Sequence, residues 1–249
     1  LIRQGDVMAS VVLQVEEILK LQGTPLPQDA AFDELRLKDV PQGTTLQQGQ
    51  RIDPLIHYVG RTQVQFVQPG AKPPTPATKL SSLSSLIDHQ NKTVTSSTGE
   101  LKLDWGRGVL TMNSQTAQGA SGDLKEAGTI ALSDLTLSIP RDVAHVVLVS
   151  LDEQPLATSR RMLLQAMTEE KATGFRSQDM GNRRHRIDAI GESPWLVRKL
   201  AGEVRLNRPD AAKLKVTALD QFGAPTAGTS TAEQITLKPD VLYYLIEAP

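Results

Sequence analysis

Apolar and polar positions alternate along most of the chain from about Thr93 to the C-terminus. Apolar residues recur two apart on both sides of a glycine-containing turn at residues 106–108: Leu101, Leu103 and Trp105 before it, Leu110 and Met112 after it. Successive side chains of a strand point to opposite faces, so this pattern predicts a β-hairpin with one buried face. We expect Trp105 to lie in the core because it shares the phase of Leu101 and Leu103.

Further short apolar segments follow at intervals of roughly ten residues, joined by Gly, Pro, Asn and Asp turns, as in two-sheet β folds. They comprise residues 130–132, 135–139, 145–149, 162–167, 204–206, 214–218, 235–237 and 241–246. The continuous run at 145–149 predicts a strand buried on both faces. Residues 162–167 fit a strand or a helix, and their neighbours favour a strand. The chain is therefore predicted to be mainly β, an antiparallel β-sandwich of the jelly-roll or Ig-like kind rather than a TIM barrel.

The first part of the chain has a less regular pattern. Apolar residues between positions 11 and 19 recur at helical spacing, although the valines also permit a strand at residues 10–15. We expect a short helical turn at residues 32–37 and an extended segment or two short strands at 52–67, with a bend at Gly60.

A proline-rich stretch at residues 69–76 marks the predicted domain boundary. Four of its eight residues are proline, which favours a stiff linker over a helix or a central strand. We therefore divide the chain into an irregular N-terminal segment, residues 1–75, and a β-sandwich domain, residues 76–249. The N-terminal segment is expected to be left from, or to pack on, an adjacent catalytic domain.

Two segments resemble each other within the chain. Residues 149–156 and 217–225 both read as a strand that ends in Leu-Asp, followed by a polar turn and a proline. The carboxylates of Asp152 and Asp220 can accept hydrogen bonds from backbone N–H groups two residues on. We expect two equivalent hairpin corners in which both aspartates have structural rather than catalytic roles.

Charge and composition exclude several kinds of partner. With 27 basic and 28 acidic side chains the net charge is −1, so no excess of cations is available for nucleic acid. No apolar run approaches the roughly 18 residues of a membrane-spanning helix. Cysteine is absent, which excludes disulfides and thiolate metal sites. The chain starts with Leu1 rather than Met, so we expect it to begin partway through a longer product or to be processed.

No catalytic, cofactor-binding or metal-binding residues are predicted. The chain has four histidines, His57, His89, His145 and His185, which are far apart and show no metal-binding spacing. A Gly-x-Ser-x-Gly nucleophile turn and an EF-hand loop are both absent from the sequence. Acidic residues are numerous, but sequence alone does not pair two of them across a glycosidic bond.

Basic and aromatic residues provide the candidate contact positions. Two basic groups occur, Arg160 with Arg161, and Arg183 with Arg184 and Arg186 in a stretch that reads as a loop. Arg176 and Trp195 are expected near the same sheet edge as the second group. A charge run is usually a solvated face. The functional hypothesis is contact with a ligand, such as an acidic polysaccharide, or with a neighbouring domain.

Five stretches of the chain are similar to known sequences: residues 1–7, 51–61, 108–118, 147–157 and 159–164. They resemble the region that follows the catalytic barrel in bacterial glycoside-hydrolase-like proteins of the agarase-like and β-galactosidase-like types. The resemblance implies a non-catalytic accessory β-sandwich of a carbohydrate-active protein that is periplasmic or secreted. It transfers no catalytic residue, because the acid/base and nucleophile of such enzymes lie on the barrel. The alternatives are a polysaccharide-binding module and a small stand-alone hydrolase.

Overall fold

The computed structural model describes residues 12–17, 39–40, 55–66, 84–181 and 184–249. It contains two compact units, one within residues 8–106 and one that includes residues 107–249. Antiparallel sheets make up most of the described structure, so the prediction of a mainly β fold is confirmed. None of the helices in the described ranges has the length and apolarity that spanning a membrane requires.

The first unit has two small sheets. Strand β1 (Val12–Glu17) lies between β2 (Asp39–Val40) and β3 (Arg61–Phe66), antiparallel to β2 and parallel to β3. Strands β4 (Ile87–Asp88), β5 (Thr93–Thr95) and β6 (Leu101–Asp104) pair antiparallel in that order, after a 3-10 turn at Ser84–Leu86. Val59 and Val94 are fully buried, with Leu103 and the half-buried Trp105 packed against them.

These elements confirm one prediction for the first unit and correct another. The strand alternative for residues 10–15 is confirmed by β1, and the helical one is wrong. The segment 52–67 is not extended throughout, because helix α1 (Ile56–Val59) precedes β3 and the two meet at Gly60. A single helical turn is too short to show a period of its own. The predicted turn at 32–37 and the linker at 69–76 lie outside the described residues.

The second unit is a β-sandwich of two antiparallel sheets. The large sheet contains, in spatial order, β19 (Pro225–Thr231), β18 (Lys215–Leu219), β21 (Tyr243–Glu247), β12 (Arg161–Thr168), β11 (Ala144–Ser150), β8 (Ala117–Gly122) and β7 (Val109–Asn113). The small sheet contains β20 (Ile235–Leu237), β17 (Gly202–Leu206), β10 (Leu135–Ser138) and β9 (Thr129–Ala131). A short helix α2 (Leu124–Ala127) and a 3-10 turn (Ala211–Lys213) connect strands.

The hydrophobic core lies between these two sheets. Its buried side chains include Val146, Leu148, Leu164, Val216 and Ile246 from the large sheet and Leu135, Leu137, Val204, Ile235 and Leu237 from the small one. Residues 162–167 form part of strand β12, so the strand assignment is confirmed.

The outer face of strand β11 is only partly buried, so the prediction of two buried faces is wrong for its first part. The even-numbered residues 144–148 are buried in the core, whereas on the outer face His145 is exposed, Val147 is half-buried and Val149 is buried. The face that carries the odd-numbered residues points away from the small sheet. A β-branched run reports strand propensity but does not distinguish one covered face from two.

The two predicted hairpin corners are present. Asp152 accepts hydrogen bonds from the hydroxyls of Ser150 and Ser159 at 2.8 and 2.7 Å, and from the backbone N–H groups of Gln154 and Arg160. Asp220 accepts from the backbone N–H groups of residues 222 and 224, both at 2.8 Å. Both aspartates therefore stabilise turns, as expected.

Candidate functional site

A long β-ribbon, here called the arm, extends from the end of strand β12. It consists of β13 (Glu170–Thr173), β14 (Arg176–Asp179), β15 (His185–Ala189) and β16 (Glu192–Val197). Strand β13 pairs with β16, and β14 pairs with β15, as a hairpin that is continued past irregular joints. In the described structure these strands form two-stranded sheets only, with no third strand on either side.

The arm exposes apolar side chains to an unusual degree. Five of the nine large apolar residues that are exposed in the described structure belong to it: Met180, Ile187, Ile190, Trp195 and Leu196. Trp195 is 64% exposed, and Ala172 opposite it is the buried residue of the arm's strands. Clustered exposed apolar residues are typical of an interaction surface, and Trp, Met and Arg are enriched at interface centres.

The base of the arm is fixed to the sandwich by polar contacts. The guanidinium of Arg198 pairs with Glu169 at 2.5 Å and with Asp142 at 3.7 Å. Arg141 also donates to the Lys199 carbonyl at 2.9 Å. These half-exposed ion pairs contribute little energy one by one, and they connect the base of the arm to residues 141 and 142, which precede strand β11.

The arm brings together part of the predicted contact group. Arg184, Arg186 and Trp195 all lie on it as exposed residues, and so does Arg176. The Arg186 guanidinium donates to Asp188 and to Gln178, both at 2.8 Å. Arg183 lies outside the described residues. The stretch that was expected to be a loop is thus the turn and second strand of a hairpin.

Arg160 and Arg161 lie elsewhere, at the start of strand β12. Arg160 donates to the carbonyl of Pro249 at 2.8 Å, and Arg161 forms an ion pair with Glu247 at 3.4 Å. The arm begins after the other end of this eight-residue strand, roughly 25 Å away at the usual rise per residue. These two arginines therefore hold the C-terminal strand and form no common site with the arm.

A second candidate surface lies on the face of the large sheet that points away from the core. Neighbouring residues of β11 and β12 form a shallow groove of about 220 Å³ there. It is lined by His145, Val147, Val149, Leu163, Gln165, Met167 and Thr168. Gly119 flanks Val147 on the next strand, where an added Cβ would overlap the Val146 carbonyl. No side chain therefore covers Val147 at this point of strand β8.

One potential nucleophile–base pair lies at the end of this groove. The hydroxyl of Ser121 and Nδ1 of His145 are 2.7 Å apart, as cross-strand neighbours on β8 and β11. Acyl transfer also requires a group that orients the histidine and donors for the oxyanion. Within the described residues, no carboxylate hydrogen bonds to the other ring nitrogen of His145, and the pair lies on an exposed sheet face. The arrangement is that of an ordinary cross-strand hydrogen bond.

Acidic and histidine side chains are the potential metal ligands in the parts that the structure describes. No group of three or more His, Asp or Glu side chains there is placed to hold a metal ion. Asp152, the carboxylate with the most hydrogen bonds, is occupied by its own turn. The arm and the groove are therefore the two candidate contact surfaces of the described structure.

Comparison with known proteins assigns no family. No protein-family model matches the chain, and neither the curated proteins nor the solved structures contain a significant match.

Proposed function

We propose that this chain is a non-catalytic accessory β-sandwich of a glycoside-hydrolase-like carbohydrate-active protein. Its role is to pack beside a catalytic barrel that is not contained in these residues, stiffening the barrel or shaping the rim of its cleft. The proposal combines the β-sandwich fold and the groove on its large sheet with the resemblance at residues 108–118, 147–157 and 159–164. The parent protein would act outside the cytoplasm, in the periplasm or as a secreted enzyme.

The groove on the large sheet is the observation that carries this proposal. Val147, Leu163 and Met167 are only half-buried, although they lie at the centre of a wide sheet. A solvated outer face of an antiparallel sheet normally carries polar residues. An apolar centre on that face is instead typical of a surface that a neighbouring domain covers.

The first test is to read the coding sequence upstream of Leu1 and to assay the encoded protein. We expect a (β/α)8 domain with two carboxylates at strand C-termini, and glycosidase activity in the complete protein. The chain on its own should not hydrolyse nitrophenyl glycosides or esters. The proposal is contradicted if no catalytic domain is encoded, or if the isolated chain shows turnover that Ser121→Ala abolishes.

A groove variant tests the docking itself. In the complete protein, Val147→Glu should lower the melting temperature of the catalytic domain by several degrees, because a buried carboxylate without a partner costs a few kcal/mol. Val143→Glu is the matched control, since Val143 precedes the same strand and is already exposed. Differential scanning calorimetry gives the readout. Equal behaviour of the two variants would exclude the groove as the docking face.

A polysaccharide-binding module is the second candidate. It is supported by the exposed Trp195 indole and by the arm's guanidinium groups, because aromatic rings and cations suit acidic sugars. Affinity electrophoresis in agarose, xylan and acidic glycans separates the two candidates. Retardation that Trp195→Ala removes would favour this function, and unchanged mobility in every gel would exclude it.

A further inference from the structure

The outer edge of strand β15 is open for pairing. In the described structure β15 pairs with β14 alone, so the backbone groups of its alternate residues face outward without a strand partner. Natural proteins usually protect such edges or use them for association. An edge that carries Ile187, 59% exposed, is suited to association.

The sequence of β15 is complementary to itself when it is reversed. If two copies of His185–Ala189 pair antiparallel with Ile187 opposite Ile187, then Arg186 of each strand faces Asp188 of the other. Residues directly opposite in an antiparallel pair share a face, and opposite charges there are stabilising. In this register the two charged residues of the strand, Arg186 and Asp188, therefore each lie opposite a residue of opposite charge.

The side chains in the structure are already arranged for this register. Arg186, Asp188 and Gln178 lie on one face and are joined by contacts of 2.8 Å, while Ile187 lies on the other face beside Ser177. Two such ribbons side by side would place a network of two arginines and two aspartates on one face. The isoleucine pair would be covered on the opposite face.

We propose that the arm joins two copies of this chain, through antiparallel pairing of the two β15 edges about a two-fold axis at Ile187. The contact is isologous, so it closes after two copies instead of continuing into a fibre. It turns two two-stranded ribbons into one four-stranded sheet and covers Ile187 in both. The inference is independent of the proposed function, since a monomeric chain could still be an accessory domain.

Charge exchange in the complete chain provides the test, with sedimentation velocity at about 1 to 200 µM, the range in which a small interface associates. The unchanged chain should dimerise with increasing concentration. Arg186→Asp and Asp188→Arg should each weaken the dimer at least tenfold, because each places like charges opposite one another on both sides of the axis. Arg205→Asp, an exposed arginine on the inner strand β17 of the small sheet, is the control and should leave the dimer unchanged.

Mixing the two weakened variants should restore dimers, now as heterodimers, because each acidic strand then faces a basic one. The chain with both changes is complementary to itself again and should dimerise like the unchanged chain, which also checks that the changes permit folding. A monomer at every concentration would overturn the inference. So would a dimer that resists both single changes, or a mixture that stays monomeric.

Discussion

Asp152→Ala is expected to lower the free energy of unfolding of the sandwich by about 2–3 kcal/mol, the cost of leaving several donors without an acceptor in a turn. The carboxylate accepts from the hydroxyls of Ser150 and Ser159, which are both fully buried, and from the backbone N–H of Arg160 at 2.7 Å. Without it, each buried hydroxyl keeps only a longer hydrogen bond, from Ser159 to the Arg161 carbonyl at 3.0 Å and from Ser150 to the Ser159 hydroxyl at 3.4 Å. Thermal unfolding of the two chains, followed by circular dichroism, measures the difference.

The pH dependence of the stability lost in Asp152→Ala tests whether the ionised carboxylate is the cause of that loss. Burial raises the pKa of Asp152, but the hydrogen bonds from Ser159, Arg160, Ser150 and Gln154 outweigh burial and hold the pKa far below the usual 3.8. A lowered pKa in the folded state means that the stabilisation is complete above pH 3.8 and declines as the pH falls below it. The difference in free energy of unfolding between the unchanged chain and Asp152→Ala should therefore become smaller as the pH falls below 3.8.

Asp220→Ala is the matched control, because this aspartate occupies the equivalent corner. Its carboxylate accepts only from two exposed backbone N–H groups, which water can satisfy after the change. We expect a loss of about 1 kcal/mol, as for a typical cap or turn residue. Equal losses for the two variants, or a difference that does not change with pH, would show that the buried serines are not what distinguishes the corners.

Local sequence predicted these corners because their chemistry is local. Two of the four donors of Asp152 and both donors of Asp220 lie within four residues of the acceptor, so the Leu-Asp-turn-Pro pattern contains this part of the information. The sandwich strands were predictable for a similar reason, because each has one buried face that selects alternate apolar residues. The run at 145–149 wrongly predicted two fully buried faces, because one face of the strand packs in the core and the other carries the apolar centre of the groove.

The arm was not predictable in the same way. Strands β14 and β15 have no buried face, so the hydrophobicity of residues 176–189 shows no period of two. Arg184 and Arg186 consequently read as a loop. The signal that could have found the arm is the reversed complementarity of Arg186, Ile187 and Asp188, which appears only when the segment is compared with itself.

Arg208→Ala is expected to cost about 2 kcal/mol, because it removes a buried guanidinium and its hydrogen bonds, although the Asp210 carboxylate that it pairs with is 44% exposed. The Arg208 side chain is only 6% exposed and pairs with both carboxylate oxygens of Asp210, at 2.6 and 2.8 Å. Its Nη1 also donates to the carbonyls of Leu156 and Ser159, at 2.8 and 2.9 Å. The change therefore removes the donor to the two carbonyls, whereas water can solvate the half-exposed carboxylate.

Arg208→Lys should recover less than half of that loss, because an ammonium group cannot reproduce the fork that meets Asp210 and both carbonyls together. Arg205→Ala, three residues away and exposed, should change the stability by no more than about 0.5 kcal/mol. Urea unfolding at neutral pH gives the three values. A lysine variant as stable as the unchanged chain would mean that charge alone, and not geometry, is required at this position.

Arg208 and Asp152 both form hydrogen bonds with Ser159. This predicts that the effects of their substitution on the free energy of unfolding are not additive. Ser159 donates its hydroxyl to Asp152 while its carbonyl accepts from Arg208, so either change loosens the contact on which the other depends. The doubly substituted chain should therefore lose at least 0.5 kcal/mol less than the sum of the two single losses, roughly the coupling seen between residues that share a partner. Strictly additive losses would contradict this prediction. They would mean that the turn at residues 152–160 keeps its conformation when either charged side chain is removed, because its backbone alone determines that conformation.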